Sequence, residues 1–229
     1  MTKVVILAGG KGARMGSLPK PLTPIGGLPI VEHVMRRFAG QGYTDFIVVL
    51  GDGSDSIREY EVKFPNNWQV EMIDTGAGIK SASRVKRIQG YLDQENFFLA
   101  YCDCLNDIDL AAFHQTHIRE GKLASMVIVN PPLPFGVVEL EGTSVVKMQE
   151  KPIASELLIN AGTFLINPAV LDLVSDEGHS LERDVLPDLA GKSQLTGYVH
   201  SGYWKPVDTQ KDAAEAEEIW NSDKVPWAI

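Results

Sequence analysis

The sequence predicts an α/β protein: a Rossmann-like wound mixed sheet with helices on both faces and a small antiparallel β insertion. Three observations favour this fold class. Short apolar runs alternate with amphipathic helical segments, a glycine-rich turn follows the first apolar run, and the pattern changes to a hairpin after Pro131. With 229 residues, the chain is long enough to bury a large core without disulfides or metals.

The first half alternates strands and helices. Residues 4–8 are an apolar run typical of a strand buried on both faces. Helical spacing predicts a helix over 29–41, and the next apolar run predicts a strand over 46–50. Strand, helix and strand form a βαβ unit, which implies parallel strands. The other elements predicted here are helices over 56–64, 81–92 (capped by Ser81 or Ser83) and 109–120, and strands over 68–73, 97–102 and 126–129.

The second half has a different pattern of apolar and polar residues. Residues 135–140 and 145–149 alternate apolar and polar side chains around a turn, which predicts an antiparallel hairpin. Thr209 and Asp212 form a capping box that opens a helix over 212–220. The remaining predictions are strands over 157–167 and 195–200 and helical segments over 171–174 and 181–189.

The glycine-rich turn after the first strand is the strongest local signal for ligand binding. Gly9, Gly10 and Gly12 let backbone N–H groups approach a ligand closely, and successive exposed amides form a nest for anions. Arg14 and Lys20 add two positive charges near the same turn. The combination predicts a triphosphate-binding loop, with an ordinary βα turn carrying incidental charges as the alternative.

Generic nucleotide motifs do not describe this turn. A Walker loop needs Gly-Lys-Ser/Thr, whereas Ala13 and Arg14 follow the last glycine, and the spacing of a dinucleotide fingerprint is also broken. Pro19 and Pro21 predict that Lys20 is held in a stiff, extended segment that aims its charge.

Composition excludes several classes of function. The formal net charge of −9 argues against nucleic acid as a partner, because phosphate-backbone binders need basic faces. No apolar run approaches the roughly 18 residues of a membrane span, and we find no signal peptide, so we expect a cytoplasmic protein with no membrane partner. Cys102 and Cys104 flank Asp103 without further zinc ligands nearby, which favours a reduced, buried pair.

Several motifs resemble those of the sugar-phosphate nucleotidyltransferase family. The turn reads Leu-Ala-Gly-Gly-x-Gly-x-Arg and is followed by Lys-Pro-Leu. The stretches 83–87 and 204–209 and the closing Val225-Pro226-Trp227 are most similar to the glucose-1-phosphate cytidylyltransferase branch. The other landmarks are 26–30, 74–76, 150–152, 159–162 and 202–209, so the resemblance covers nearly the whole chain.

The resemblance implies a nucleotide-diphospho-sugar transferase fold and an activity. It implies a single domain over 1–229, in which 1–130 mainly binds the nucleotide and 131–229 mainly binds the acceptor. The implied reaction is Mg²⁺-dependent transfer of CMP from CTP to a phosphorylated acceptor, a sugar 1-phosphate, with release of pyrophosphate. UTP or dTTP, a non-sugar acceptor, and a catalytically silent nucleotide-binding protein stay open as alternatives. A homo-oligomer is also possible within the family.

The resemblance also assigns roles to residues. Arg14 would bind the β- and γ-phosphates and Lys20 the α-phosphate, with Asp103 as the third catalytic residue. Asp103 and Asp208 each follow an apolar or aromatic element that would deliver them to the ligand-binding edge of the sheet, where two carboxylates can hold Mg²⁺. The implied nucleotide-binding set is Leu7, Ala8, Gly9, Gly10, Gly12, Arg14, Lys20, Gly76, Ser81 and Arg84. The implied acceptor-binding set is Gly136, Glu150, Lys151, Asn160, Gly162 and Trp204.

The chain departs from the branch pattern mainly on the acceptor side. Ala13 replaces a threonine beside the phosphates, and Cys102 and Cys104 replace glycines around Asp103. Pro134 replaces an arginine and Ala161 a glycine near the expected sugar. The nucleotide half therefore matches more closely than the acceptor half, and the acceptor's identity stays open.

Overall fold

A seven-stranded mixed sheet forms the centre of the structure, a computed structural model that describes residues 2–10, 18–51, 54–61, 64–93 and 95–228. The strands of the described residues are β1 (Val4–Leu7), β2 (Pro24–Ile25), β3 (Leu28–Pro29), β4 (Asp45–Leu50), β5 (Gln69–Asp74), β6 (Phe97–Tyr101), β7 (Cys104–Asn106), β8 (Ala124–Val129), β9 (Val137–Glu141), β10 (Ser144–Gln149), β11 (Ile159–Ile166), β12 (Leu195–Val199) and β13 (Trp204–Pro206).

The strand order in the central sheet is β12-β8-β11-β6-β1-β4-β5. Strand β11 is antiparallel to both of its neighbours, and the other adjacent pairs are parallel. The α-helices of the described residues are α1 (Ile30–Ala39), α2 (Ser54–Glu61), α3 (Ser81–Arg87), α4 (Leu110–Glu120), α5 (Leu186–Gly191) and α6 (Gln210–Trp220).

Both faces of the sheet are covered, because alternate strand residues point to opposite sides. Val4 and Ile6 of β1 pack into a buried cluster with side chains of α1, α2 and α4. Val5, between them, packs into a second cluster with side chains of α3 and α5. The predicted wound sheet with helices on both faces is therefore confirmed. Among the described helices, none is long and apolar enough to cross a membrane.

The predicted antiparallel insertion is the hairpin β9–β10, which lies outside the central sheet. Its large apolar side chains are exposed on both faces, in contrast to the buried strands of the main sheet. Its base is closed by two hydrogen bonds: Leu133 N donates to Pro152 O at 2.8 Å, and Ala154 N donates to Pro131 O at 2.9 Å.

Several predicted boundaries are wrong in informative ways. The helix predicted over 81–92 ends at Arg87 and continues as a 3-10 turn over Gln89–Tyr91. Its cap position is Lys80, without a side-chain cap hydrogen bond, because Ser81 and Ser83 use their hydroxyls in contacts with the segment 175–182. The segment 181–189 begins as a π-helical turn over Leu181–Val185 before α5. The capping box of Thr209 and Asp212 is confirmed.

Candidate active site

A three-residue ladder brings Asp103 and Asp208 together although 105 positions separate them in the sequence. Strands β7 and β13 pair antiparallel, with Pro206 opposite Cys104. Val207 N then donates to Asp103 O at 2.9 Å, so the residue before Asp208 is fixed to the turn that carries Asp103. Such short strands have no alternating pattern of their own, so the sequence does not predict this ladder.

The ammonium group of Lys20 lies between the two aspartates. Its Nζ is 2.6 Å from Asp103 Oδ2 and 2.5 Å from Asp208 Oδ1. The side chains of Lys20 and Asp103 are mostly buried, at 16% and 21% exposure, whereas Asp208 is half exposed at 51%. The predicted catalytic lysine and the two predicted metal ligands are therefore in one place.

Charge controls the protonation state of this lysine. Burial alone would lower the pKa of Lys20, but the charges of Asp103 and Asp208 and their hydrogen bonds outweigh burial and raise the pKa. A pair of unit charges at ~4 Å is worth roughly 4 kcal/mol at an effective dielectric constant of about 20, and solvent makes the half-exposed Asp208 the weaker of the two partners. Lys20 is a fixed positive charge.

The donor set fits a divalent cation with oxygen ligands. Asp103 and Asp208 already hold one cationic group between them, the Lys20 ammonium. Within the described residues, no three His, Cys, Asp or Glu side chains form a metal cluster, so protein alone would not complete a coordination shell. Magnesium ordinarily takes one or two carboxylates and completes its octahedron with phosphate oxygens and water. These two residues are suited to a metal that arrives with a phosphorylated ligand.

The prediction that Pro19 and Pro21 keep Lys20 extended is wrong. Lys20–Leu22 is a 3-10 turn, closed by Leu22 N donating to Pro19 O at 2.9 Å and by Thr23 N donating to Lys20 O at 3.1 Å. The turn tolerates the proline because the missing N–H lies at a position that needs no partner inside a short turn.

Arg84 is a buried anchor for the loops at the carboxyl end of the sheet. The residue is 5% exposed. Its guanidinium donates to Leu50 O at 2.8 Å, Gly76 O at 2.9 Å and Gly9 O at 3.0 Å, and also to the Thr75 hydroxyl at 2.8 Å. One side chain therefore ties the loops that follow β1 and β5 to the end of β4. A direct contact between Arg84 and a nucleotide base stays a prediction.

Glycine is required at position 9 because Arg84 approaches so closely. A Cβ atom on Gly9 would lie 2.8 Å from Arg84 Nη1 and 3.0 Å from Gly51 N. Gly9 and Ala8 are buried, whereas Gly10 is exposed. Leu7 ends β1 and pairs with Tyr101 of β6. The chain therefore leaves the buried core after Gly9 and reaches the surface at Gly10.

Gly76 and Ser81 lie near the two ends of the connection between β5 and α3. Gly76 has φ of +86°, and its N–H donates to Asp74 Oδ1 at 2.8 Å. Ser81 begins α3, accepts a hydrogen bond from Leu181 N at 2.8 Å and donates to Glu182 Oε2 at 3.0 Å. The other two predicted nucleotide residues, Gly12 and Arg14, lie outside the described residues.

Three of the predicted acceptor residues lie on or against β11. Gly162 of β11 has φ of +79°, and a Cβ there would lie 2.7 Å from the ring of Tyr101. Its N–H donates to Asn160 Oδ1 at 2.8 Å, which fixes the side chain of Asn160. Trp204 Nε1 donates to Ala161 O at 2.9 Å, so this indole nitrogen is used by the protein.

The other three predicted acceptor residues lie at the base of the hairpin. Gly136, Glu150 and Lys151 are exposed. A Cβ on Gly136 would lie 2.9 Å from Glu150 Oε2, so these two residues are neighbours. Lys151 has φ of +46°, a left-handed conformation that is uncommon for a residue with a side chain. The pKa of Glu215 on α6 is lowered mainly by its hydrogen bond from Lys205, and the positive charge of Lys151 lowers it further.

Four further residues have polar roles near this edge, and the sequence predicts a site role for none of them. Cys104 Sγ lies 3.3 Å from Asp103 Oδ1, and burial raises the pKa of its thiol. Thr75 donates its hydroxyl to Leu50 O at 2.9 Å. Tyr101 donates its hydroxyl to Glu182 Oε1. Thr75 lies within the 74–76 motif, whereas nothing in the sequence marks Glu182 as a site residue.

Comparison with known proteins agrees with this geometry. Residues 3–222 match the Nucleotidyl transferase family model. The chain is 34% identical over 252 aligned positions to the glucose-1-phosphate cytidylyltransferase of Salmonella typhi, with 98% of each chain covered. It is 29% identical to a mannose-1-phosphate guanyltransferase of Schizosaccharomyces pombe, over 92% of this chain and 62% of that protein. The crystal structure of HddC from Yersinia pseudotuberculosis has the same fold, with a TM-score of 0.77 at 24% identity, covering 95% of this chain and 99% of that one.

The family model covers most of the chain, which therefore belongs to the nucleotidyl transferase family. It is a nucleotidyltransferase enzyme, and its full length is similar to the glucose-1-phosphate cytidylyltransferases.

Proposed function

We propose that this chain transfers CMP from CTP to a phosphorylated acceptor, a sugar 1-phosphate, and releases pyrophosphate. The single observation that carries the proposal is the position of the Lys20 ammonium between Asp103 and Asp208 at the carboxyl edge of the sheet. The 34% identity to a glucose-1-phosphate cytidylyltransferase supports the choice of CTP and of a sugar phosphate. The similarity to mannose-1-phosphate guanyltransferases makes the base the part that most needs a test.

The chemistry requires positioning more than acid–base catalysis. An oxygen of the acceptor phosphate attacks the α-phosphorus of the triphosphate, and the bond from that phosphorus to the bridging oxygen of pyrophosphate breaks. The nucleophile is already an anion, so no strong base is needed. The barrier is the approach of two polyanions, which fixed positive charges lower.

Lys20 supplies one such charge. Its ammonium binds the α-phosphate oxygens and stabilises the negative charge that grows there, while Asp103 and Asp208 would hold Mg²⁺. The metal, when bound, neutralises phosphate charge and orients the triphosphate. Arg84 keeps the loops around Gly9 and Gly76 in place, which preserves the geometry of the nucleotide site.

The acceptor half supplies the second anchor. Lys151 binds the acceptor phosphate, and Asn160, Gly162 and Glu150 contact the rest of the acceptor. Gly162 lets the ring of Tyr101 pack directly against the backbone of β11, where a Cβ atom would lie 2.7 Å from that ring. Assembly as a homo-oligomer stays a prediction of the family resemblance.

An acceptor screen tests the proposal directly. The protein is incubated with Mg²⁺, each of CTP, UTP, dTTP and GTP, and a panel of sugar 1-phosphates and other phosphorylated metabolites, and pyrophosphate is measured. We expect release with CTP and a sugar 1-phosphate. Preference for another triphosphate would overturn the base assignment and keep the class of reaction, and preference for a non-sugar phosphate would overturn the acceptor assignment.

A further inference from the structure

We propose that Glu182 is a positioning residue that couples the nucleotide site to the acceptor site. The inference rests on the proposed function, because it takes Ser81 as a nucleotide-side residue and Asn160 and Gly162 as acceptor-side residues. Glu182 itself belongs to none of these sets. It lies in the π-helical turn Leu181–Val185, 16 positions after Ile166, the last residue of β11.

The carboxylate of Glu182 has two arms that reach different elements. Oε1 accepts the hydroxyl of Tyr101, the last residue of β6. Oε2 accepts the hydroxyl of Ser81, the first residue of α3, at 3.0 Å, and the hydroxyl of Ser180 at 2.6 Å. One ionised side chain therefore joins a strand end to a helix start, and hydrogen bonds to a charged acceptor are about twice as strong as neutral ones.

The Tyr101 arm leads to the acceptor side. Tyr101 pairs with Leu7 on one neighbouring strand, and its ring lies under Gly162 on the other. Next to that glycine, the side chain of Asn160 accepts from Gly162 N at 2.8 Å. A tyrosine that turned away from Glu182 would disturb the packing of its ring at Gly162, and with it the hydrogen bond that fixes Asn160.

The Ser81 arm leads to the nucleotide side. Ser81 opens α3, and Arg84 follows one helical turn later on the same helix. Arg84 in turn holds Gly9 O and Gly76 O. The link from Glu182 to Ser81 therefore sets the start of the helix whose arginine fixes the nucleotide loops.

Glutamine separates the two arms, which makes Glu182→Gln the informative variant. A carboxylate accepts at both oxygens, whereas a carboxamide accepts at one and presents N–H donors at the other. With glutamine, one hydroxyl must turn round and accept from the carboxamide N–H, and both arms lose the negative charge that strengthens them. Glu182 is exposed, so the variant is expected to fold. Glu177→Gln is the matched control, because Glu177 is an exposed carboxylate of the same segment that faces Arg87 at 3.7 Å.

The test measures KM for both substrates, using the pair that gives pyrophosphate in the acceptor screen. We expect Glu182→Gln to raise both KM values about tenfold, the size of one lost charge-assisted hydrogen bond, with kcat within about threefold of wild type. Glu177→Gln should change neither KM. A purely structural role would lower thermal stability and the active fraction while leaving both KM values alone, and that result, or a rise in one KM only, overturns the coupling.

A second measurement needs no turnover and separates this inference from the proposed function. Free energies of unfolding in urea are compared for Ser81→Ala, Tyr101→Phe and the double variant, in the wild-type and Glu182→Gln backgrounds. In the wild-type background, we expect the losses of unfolding free energy from Ser81→Ala and Tyr101→Phe to be non-additive. In the Glu182→Gln background, we expect the two losses to add. Additivity in both backgrounds overturns the coupling, even if the enzyme is active. Non-additivity in a chain that releases no pyrophosphate would overturn the proposed function alone.

Discussion

The loops around Gly9 and Gly76 and the hairpin β9–β10 differ in how they are held. The loops are tied by the buried guanidinium of Arg84, which leaves no room for a side chain at Gly9. The hairpin has exposed apolar side chains on both faces and is closed at its base by two backbone hydrogen bonds. The loops proposed to bind the triphosphate are therefore preorganised. Glu150 and Lys151, in contrast, lie at the base of a hairpin that has few attachments to the rest of the protein. A single two-stranded hairpin is marginally stable by itself in water.

The largest expected effect is on the charge between the aspartates. Lys20→Ala should lower kcat by about 10³-fold or more, because a preorganised charge at the reacting phosphate is removed. The measurement is pyrophosphate release at saturating substrate. Lys192→Ala, which removes a surface ion pair with Asp188, is the control and should leave kcat unchanged. Unchanged turnover in Lys20→Ala would remove this lysine from the mechanism.

The second prediction contrasts the anchored loops with the hairpin directly. Arg84→Met should lower the free energy of unfolding by about 3 kcal/mol, because it leaves several buried acceptors without a donor. Lys151→Met should change it by less than about 0.5 kcal/mol, as expected for an exposed side chain, while raising KM for the acceptor. Urea unfolding and initial rates provide the two readouts. Equal losses of stability would show that the two regions are held alike.

The third prediction concerns the metal. Asp208→Asn should weaken Mn²⁺ binding and lower kcat by about 10²-fold at fixed Mg²⁺, because one of the two proposed carboxylate ligands is lost. Without nucleotide, Lys20→Ala should bind Mn²⁺ more tightly than wild type, since the ammonium no longer competes for Asp103 and Asp208. Electron paramagnetic resonance of free Mn²⁺ measures both affinities. Equal affinities in wild type and both variants would place the metal elsewhere.

The smallest expected effect is on acid stability. Although Glu182 is exposed as a whole residue, partial desolvation of its carboxylate would raise the pKa. Hydrogen bonds from Ser180, Tyr101, its own backbone and Ser81 outweigh that desolvation and lower the pKa below its ordinary 4.5. A depressed folded-state pKa adds stability above the unfolded-state pKa and loses it as the pH falls through the folded-state value. Wild type should therefore lose more stability than Glu182→Gln as the pH falls below 4.5, in urea unfolding at stepped pH. Parallel curves would contradict this.

Much of the fold could be predicted from sequence because the parallel strands are nearly continuous apolar runs. The convergence of Asp103 and Asp208 could also be expected, since each follows an element that ends at the same sheet edge. The ladder that joins them could not, because strands of three residues carry no periodic signal. The turn at Lys20 was mispredicted because flanking prolines indicate extended backbone, whereas local hydrogen bonds decide the conformation.

The tertiary contacts of Arg84 and Glu182 could not be predicted from the sequence for a different reason. Both act on partners that are distant along the chain: Arg84 reaches back 75 positions to Gly9, and Glu182 reaches back 101 positions to Ser81. An arginine in an amphipathic helix indicates a solvated face until the strands beside it are placed. Family resemblance marked the position of Arg84 but not the carbonyl groups that it binds.

The choice of main-chain carbonyls as partners for Arg84 has a consequence for protein engineering. Leu50, Gly9 and Gly76 offer their backbone oxygens, so these hydrogen bonds do not depend on which side chains project from exposed neighbours such as Gly10 and Ala77. A mutant library that varies those exposed positions can therefore search for a new base preference while the scaffold stays in register. The same library built on an Arg84 variant would lose that tolerance.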